Sequence, residues 1–410
     1  MTHAEILIVG GGIAGASTAW HLAERGREVV LLERGEIASE ASGVNAGSIT
    51  SLGWGHTPDL QSHLTAGSVE IFKQLALDLG HDVEFRVSGA LSAIHTDEQY
   101  AWARDRAHRL REQSFVAELI TAREARAIEP HVDPALPGLM HYPVSAQANP
   151  AKATRGFADA AARHGARILA NHDVTQIRVD GDAYRVSTSH GDVVADTLVL
   201  AAGAWCPALG DMLDVRIPII PVRGQMWATA PLPPSVFTKI ASVESGCDWA
   251  RDSGADDTTP PELTIRDGKR LTRHLYGRQT RDGEIIFGGD RQIVGYDKAI
   301  DPAGIEVNRA HAAQVLPFLR RVPIARTWAG LMPFALDGKP IIGRLPGHAS
   351  AWIVSGLASS GFGRGPMAGK LLAEYIHTGH RPHVLTDADP GRFASGLSAY
   401  AGARGSAPTS

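Results

Sequence analysis

Cysteine is almost absent from this sequence. Its 410 residues include only Cys206 and Cys247, far apart in the chain. That excludes a disulfide framework and a cysteine-rich zinc site, and it fits a reducing compartment. Strong charge of either sign is missing too. The formal charge of −4 gives no footprint for a nucleic-acid partner. No apolar run is long enough to span a bilayer, although a peripheral membrane contact escapes that test. Met1-Thr2-His3-Ala4 leads straight into a strand-like run without a targeting signal. The expected location is the cytoplasm. A chain of this length exceeds one ordinary core, so two domains are expected.

What is present has a definite order. Glu5-Ile6-Leu7-Ile8-Val9 reads as a buried parallel strand ending at Gly10. Small and apolar residues at helical spacing follow over 14–25, stopped by Gly26, and 28–32 is a second buried strand. A helix is predicted over 65–79. Thr96 with Gln99, and Thr121 with Glu124, are capping boxes that each start a helix. Asn149-Pro150 is an N-cap followed by proline at the first helical position. Short strands are predicted near 166–170, 173–179, 184–188, 192–194 and 197–202. From 216 to 325 the texture becomes β-rich, with a long polar loop over 244–270. After 326 the glycine-punctuated style returns, with a helix over 366–377.

Four pieces carry chemistry. Gly10-Gly11-Gly12-Ile13-Ala14-Gly15 is a G-x-G-x-x-G between a strand and a helix. Gly10 permits the tight turn, Gly12 the approach of a pyrophosphate, and Gly15 close packing of the helix. The helix N-terminus offers N–H groups and a positive dipole end. Glu33 closes the second strand at the position of a ribose-binding carboxylate, which disfavours a 2′-phosphate. The small-residue loop 41–49 is needed by a flavin and not by a nicotinamide cofactor; a polar surface loop is the bland alternative. The strand Val199-Leu200-Ala201-Ala202 runs into Gly203, with Trp205 either covering an adenine or filling a core. The loop from Gly356 to Gly365 enters a helix whose dipole suits the flavin edge that gains negative charge on reduction.

Together these pieces resemble the D-amino-acid oxidase-like family of FAD-dependent oxidoreductases. Its members include glycine oxidase, sarcosine oxidase, D-amino-acid dehydrogenases and the flavin subunits of proline- and opine-oxidising complexes. The likeness runs from Ile6 to Phe393 and includes Pro221-Val222-Arg223-Gly224-Gln225, Gly288-Gly289-Asp290, Gly330-Leu331-Met332-Pro333-Phe334 and Asp337-Gly338-Lys339-Pro340. It implies an α/β fold: a Rossmann-like FAD-binding domain of glutathione-reductase type with an inserted β-rich substrate domain. The FAD domain would comprise 1–85, 146–220 and 326–400, the substrate domain 86–145 and 221–325, and 402–410 a disordered tail. The family's cofactor contacts map onto Gly10, Gly12, Ile13, Ala14, Gly15, Glu33 and Arg34; onto Ser42, Asn45, Ala46 and Gly47; onto Val174, Ala202, Gly203, Trp205 and Gly330; and onto Gly361, Phe362, Gly363 and Arg364. Covalent members attach the flavin through a histidine in the second loop or a cysteine in the C-terminal half. Residues 42–48 hold no histidine and both cysteines precede 248, so the FAD is expected to be non-covalent.

The implied reaction is oxidation of an amine or amino acid, with oxygen or another acceptor taking the electrons. Two departures bear on the substrate. Met332 stands where simple amino-acid oxidases place a carboxylate-clamping arginine, and Ser360 where the heteromeric type usually has histidine. Charge for a carboxylate is sought instead in Arg278, Arg273 or Arg291. Tyr276 and Arg278 could orient a carboxylate bidentately, or form an edge-strand surface pair. His56 either reaches the ring face or is an idle loop histidine. No metal site and no nucleophile are expected. A flavin subunit of a larger complex, or a homo-oligomer, stays open; a nicotinamide-dependent dehydrogenase is disfavoured by 41–49.

Overall fold

The computed structural model describes residues 2–50, 52, 59–247, 265–266, 269–270 and 274–393. His56, Arg273 and the tail 402–410 lie outside them. The first sheet has a parallel core in the order Ala351–Ser355, Gly191–Leu200, Thr2–Val9, Val29–Leu32 and Arg167–Leu169. Helices Ile13–Ala23, Pro150–Arg163 and Gly361–Thr378 cover one face and share a single apolar cluster with it. A second cluster fills the other face. The strands at 192–194 and 197–202 are one strand, Gly191–Leu200. Its first half pairs with the meander Val174–Asp180 and Ala183–Thr188, and its end pairs with Ala351–Ser355. Asp196, exposed at the middle, looks like a break in the sequence but is only a solvent-facing position.

The cap signals place their helices. Thr96 accepts a hydrogen bond from the Gln99 amide ahead of Asp97–Glu112, and Thr121 and Glu124 form a reciprocal box ahead of Ala122–Ile128. Asn149 caps Pro150–Arg163. The first long helix begins earlier than 65, at Leu60–Lys73, because the Asp59 carboxylate caps the Ser62 amide, and it continues as a wide turn over Gln74–Asp78. The last helix starts at Gly361, five residues before Pro366. Proline there forfeits a single backbone hydrogen bond.

The second sheet has eight strands in the order Ile324–Ala335, Ile219–Thr229, Ile285–Gln292, Tyr276–Gln279, Lys239–Ser242, Ala90–Ile94, Gly138–His141 and Glu118–Ile120. Only the pairing of Lys239–Ser242 with Ala90–Ile94 is parallel. Helix Pro302–Val315 packs on its outer side. The domain boundary expected at 326 falls inside Ile324–Ala335, which stays registered with Ile219–Thr229 to its end. The chain therefore returns to the first domain only after Ala335. No described helix is long and apolar enough to cross a membrane.

Candidate active site

A long cavity runs along the carboxyl ends of the first sheet's parallel strands and ends beneath the second sheet. Gly10 turns out of the first strand with φ of 118°, a conformation that favours glycine. Helix Ile13–Ala23 opens on the cavity with no acid in its first turn. The Ser42 hydroxyl accepts from the Ile13 amide at 3.0 Å, which ties the second loop to the first. Glu33 Oε2 accepts from the Gly11 amide at 2.7 Å and Oε1 from the Gly35 amide at 3.0 Å. The carboxylate is thereby fixed at the cavity wall. At one end lie Val174 and Trp205, with the Arg34 guanidinium 3.9 Å over the indole ring. Tyr296 stacks on the same indole and donates to the Ala204 carbonyl. At the other end, helix Gly361–Thr378 also presents a first turn without acids.

The end beneath the second sheet is lined by Gly224, Met226, Tyr276, Met332 and Ser359. Met332 sits opposite Val222 in the strand pairing and makes this wall apolar. The Tyr276 hydroxyl lies 3.5 Å from the Met226 sulfur, and removal from water holds its pKa above the usual phenol value. Arg291 Nη2 contacts His274 Nε2 at 3.1 Å and donates to Ser359 Oγ at 3.0 Å. A guanidinium can only donate, so Nε2 accepts and the Nδ1 proton points to Ser245 Oγ, 2.7 Å away. His274 is held well below the ordinary histidine value, by burial first and then by Arg291, His311 and Lys239, and so stays neutral.

Two candidates are placed differently from expectation. Arg278 does not line the cavity. Its guanidinium donates to the backbone carbonyls of Ala46 and Ala148, the latter at 3.2 Å, and so pins the second loop beneath the second sheet. Burial lowers its pKa to about 10, which leaves it charged at neutral pH. Ser360 also misses the cavity; its neighbour Ser359 faces in. Among the described residues no group of three or more His, Cys, Asp or Glu gathers as for a metal.

A family model described as FAD dependent oxidoreductase matches residues 5–375. The chain belongs to this family. It is 29% identical over 402 residues to glycine oxidase of Pseudomonas aeruginosa, covering 95% of this chain and 98% of that enzyme. Glycine oxidase of Geobacillus kaustophilus superposes with a TM-score of 0.81 at 22% identity, covering 96% and 99% of the two chains. L-proline dehydrogenase of P. horikoshii superposes with a TM-score of 0.80 at 25% identity, covering 96% and 98%.

The residues of this family member fit FAD. Two helix N-termini without first-turn acids, a glycine cradle and a fixed carboxylate suit a pyrophosphate, a ribose and an electron-accepting ring along one cavity. Gly10, Gly12, Ile13, Ala14, Glu33, Arg34, Ser42 and Asn45 line it, as do Val174, Ala202, Gly203, Trp205, Gly330, Gly361 and Phe362. Gly15, Ala46, Gly47, Gly363 and Arg364 do not. Gly15 packs the helix against Gly10, where a Cβ would stand 2.1 Å from the Gly10 carbonyl oxygen. Gly47 faces the Ala148 carbonyl, and Gly363 packs on Ser48 and Ile49. Gly15, Gly47 and Gly363 shape the walls from behind. His172, Asp173, Met226 and Ser359 line the cavity without having been singled out in the sequence. Ser359 alone had a signal, as the neighbour of Ser360.

A Cβ at Gly12 would meet only the flexible Ser42 Oγ, at 3.0 Å. Gly12→Val is therefore expected to give a soluble, folded protein without flavin, read from its visible spectrum; full yellow colour would contradict the cradle. Arg278→Met should leave two buried carbonyls without their donor and destabilise the protein by about 2–4 kcal/mol. Flavin should be retained poorly, while KM for any amine in the remaining holoenzyme changes little. A normal melt with a raised KM would instead return Arg278 to the substrate.

Proposed function

We propose that this protein oxidises the C–N bond of a secondary or otherwise N-substituted amino acid, using non-covalent FAD. When bound, FAD supplies the acceptor for the hydride on the carbon next to nitrogen. Loss of that hydride leaves an iminium, which water hydrolyses to a carbonyl compound and the free amine. The protein's part is to position the amine, exclude water and set the charge around it. Oxygen or another acceptor would then take the electrons.

One observation carries the choice of substrate: the wall at Met332 is a thioether, with Met226 beside the same cavity. Neither can pair with a carboxylate, and both adapt to an N-substituent. The buried basic residues Lys239, Arg278 and Arg291 stand on other strands of the same sheet. Tyr276 keeps its proton and can donate a hydrogen bond. The likeness to proteins named glycine oxidase and L-proline dehydrogenase supports an amino acid, the second a cyclic secondary amine.

Non-covalent attachment is supported by the cysteines. Cys206 and Cys247 are buried and neither lines the cavity; burial pushes the Cys206 thiol up to about 11, far from a reactive thiolate. Acid precipitation should release all yellow colour to the supernatant, and colour held in the pellet would refute it. Anaerobic mixing with a panel of amines tests the substrate class. N-substituted amino acids should bleach the flavin at least tenfold faster than glycine or D-alanine at equal concentration. The reverse order would overturn the reading of Met332.

A further inference from the structure

The cavity end beneath the second sheet has no formal charge in its own wall. Among the described residues that line the whole cavity, the acids are Glu33, Glu40 and Asp173, and Arg34 is the only arginine or lysine. All four belong to the end at Val174 and Trp205. Arg34 pairs with Glu40 at 2.8 Å and stacks on Trp205, and Glu33 and Asp173 are chain neighbours of Arg34 and Val174. An anion at the other end has therefore to be met by neutral donors. Ser355 is already spent there, because its hydroxyl donates to the Gly203 carbonyl at 3.0 Å. Tyr276 and Ser359 remain.

Ser359 is set apart by the direction of its bond. Arg291 Nη2 donates to Ser359 Oγ at 3.0 Å and to His274 Nε2 at 3.1 Å. Nη2 carries two protons, one for each bond, and a guanidinium accepts none. The order is fixed from behind, because neutral His274 turns its Nδ1 proton to Ser245 Oγ. Ser359 Oγ is thus an acceptor on its Arg291 side, and its own proton must leave in another direction. Among the described residues no acceptor takes that proton, and the side chain faces the cavity. Arg291 itself stays behind the wall. It is 2% exposed, and its guanidinium lies 5.7 Å from the centroid of the buried Phe334 ring. Its charge reaches the cavity through the hydroxyl it holds. Accepting from a cation makes a hydroxyl a stronger donor, and an ionised acceptor strengthens the next bond again.

We propose that Ser359 donates a hydrogen bond to the carboxylate of the substrate, and that Arg291 is the positioning residue that aims this hydroxyl. A carboxylate only accepts, so it fits a wall where Ser359 must donate and where Met226 and Met332 offer no competing donor. The proposal rests on the amino-acid reading of the site and names the residue that recognises the acid. That recognition can be tested without turnover.

The test uses holoenzyme and the flavin absorbance. Butyrate carries the carboxylate, butyramide is its uncharged counterpart of the same shape, and neither has an oxidisable amine. Wild type should bind butyrate at least tenfold more tightly than butyramide. Ser359→Ala should weaken butyrate by about 10- to 100-fold and butyramide by only about threefold, as for a charged and a neutral acceptor. Ser359→Thr keeps a hydroxyl and should recover most of the loss. Arg291→Lys keeps a cationic donor and should weaken butyrate less than Arg291→Met does. Equal losses that follow the melting temperatures would make Arg291 a structural residue and overturn its part. Unchanged or tighter butyrate binding by Ser359→Ala would overturn the proposal. If that variant also showed a lowered flavin midpoint potential, the hydroxyl would belong to the flavin instead. Ser359→Gly serves the same comparison if the alanine variant loses its flavin. Failure of every amine to bleach the flavin, with butyrate binding and its loss in Ser359→Ala intact, would reject the reaction and not the anchor.

Discussion

Everything at the cofactor site depends on how closely two helices approach. Ile13–Ala23 and Gly361–Thr378 come from opposite ends of the chain yet pack almost backbone to backbone. A Cβ at Gly369 would stand 2.7 Å from the Ala14 oxygen and the Thr18 nitrogen, and one at Gly365 would stand 2.6 Å from Ile13 Cγ2. Ser17 Oγ donates across the contact to the Pro366 carbonyl at 2.8 Å. This packing brings both N-termini to one cavity, where their dipole ends add. A side chain at Gly369 would push the helices apart and separate the phosphate end from the ring end. The fold thus presents two positive helix ends to one cavity.

The second sheet is fastened to this frame by charge as much as by packing. Arg278 reaches out of the sheet to carbonyls at Ala46 and Ala148, in two separate segments of the first domain. Trp328 Nε1 donates to the Val44 carbonyl at 2.7 Å from the neighbouring edge. Backbone carbonyls that a loop would otherwise present to water are satisfied by side chains of the roof. The second loop is therefore positioned by side chains of the second sheet.

Local signals in the sequence transferred well to the structure. The opening β-α-β unit, both threonine caps and the Asn149-Pro150 start depend on neighbours within a few residues, and each formed where its residues placed it. Long-range pairing was not legible. Nothing local shows that Ile324–Ala335 belongs to the second sheet, because its partner Ile219–Thr229 lies about a hundred residues away. Arg278 was visible as a candidate cation, but its target is a carbonyl 232 residues distant. Ser359 and Ser360 differ only by helical phase. Lys239 and Arg291 are separated by the long polar stretch, and only the sheet register brings them together.

That register also keeps the roof of the cavity apart from the cofactor frame. A carboxylate clamp on the strand at 332 would sit beside Gly330, on the strand that lines the cavity. Here that wall is methionine, and the buried cations stand on other strands of the same sheet, Lys239 on Lys239–Ser242, Arg278 on Tyr276–Gln279 and Arg291 on Ile285–Gln292. A methionine wall makes its surroundings less polarisable than water, which strengthens any charge placed nearby. The apolar wall and the buried charge are thus set by different strands of one sheet, while the cofactor frame is set by the two helices of the first domain.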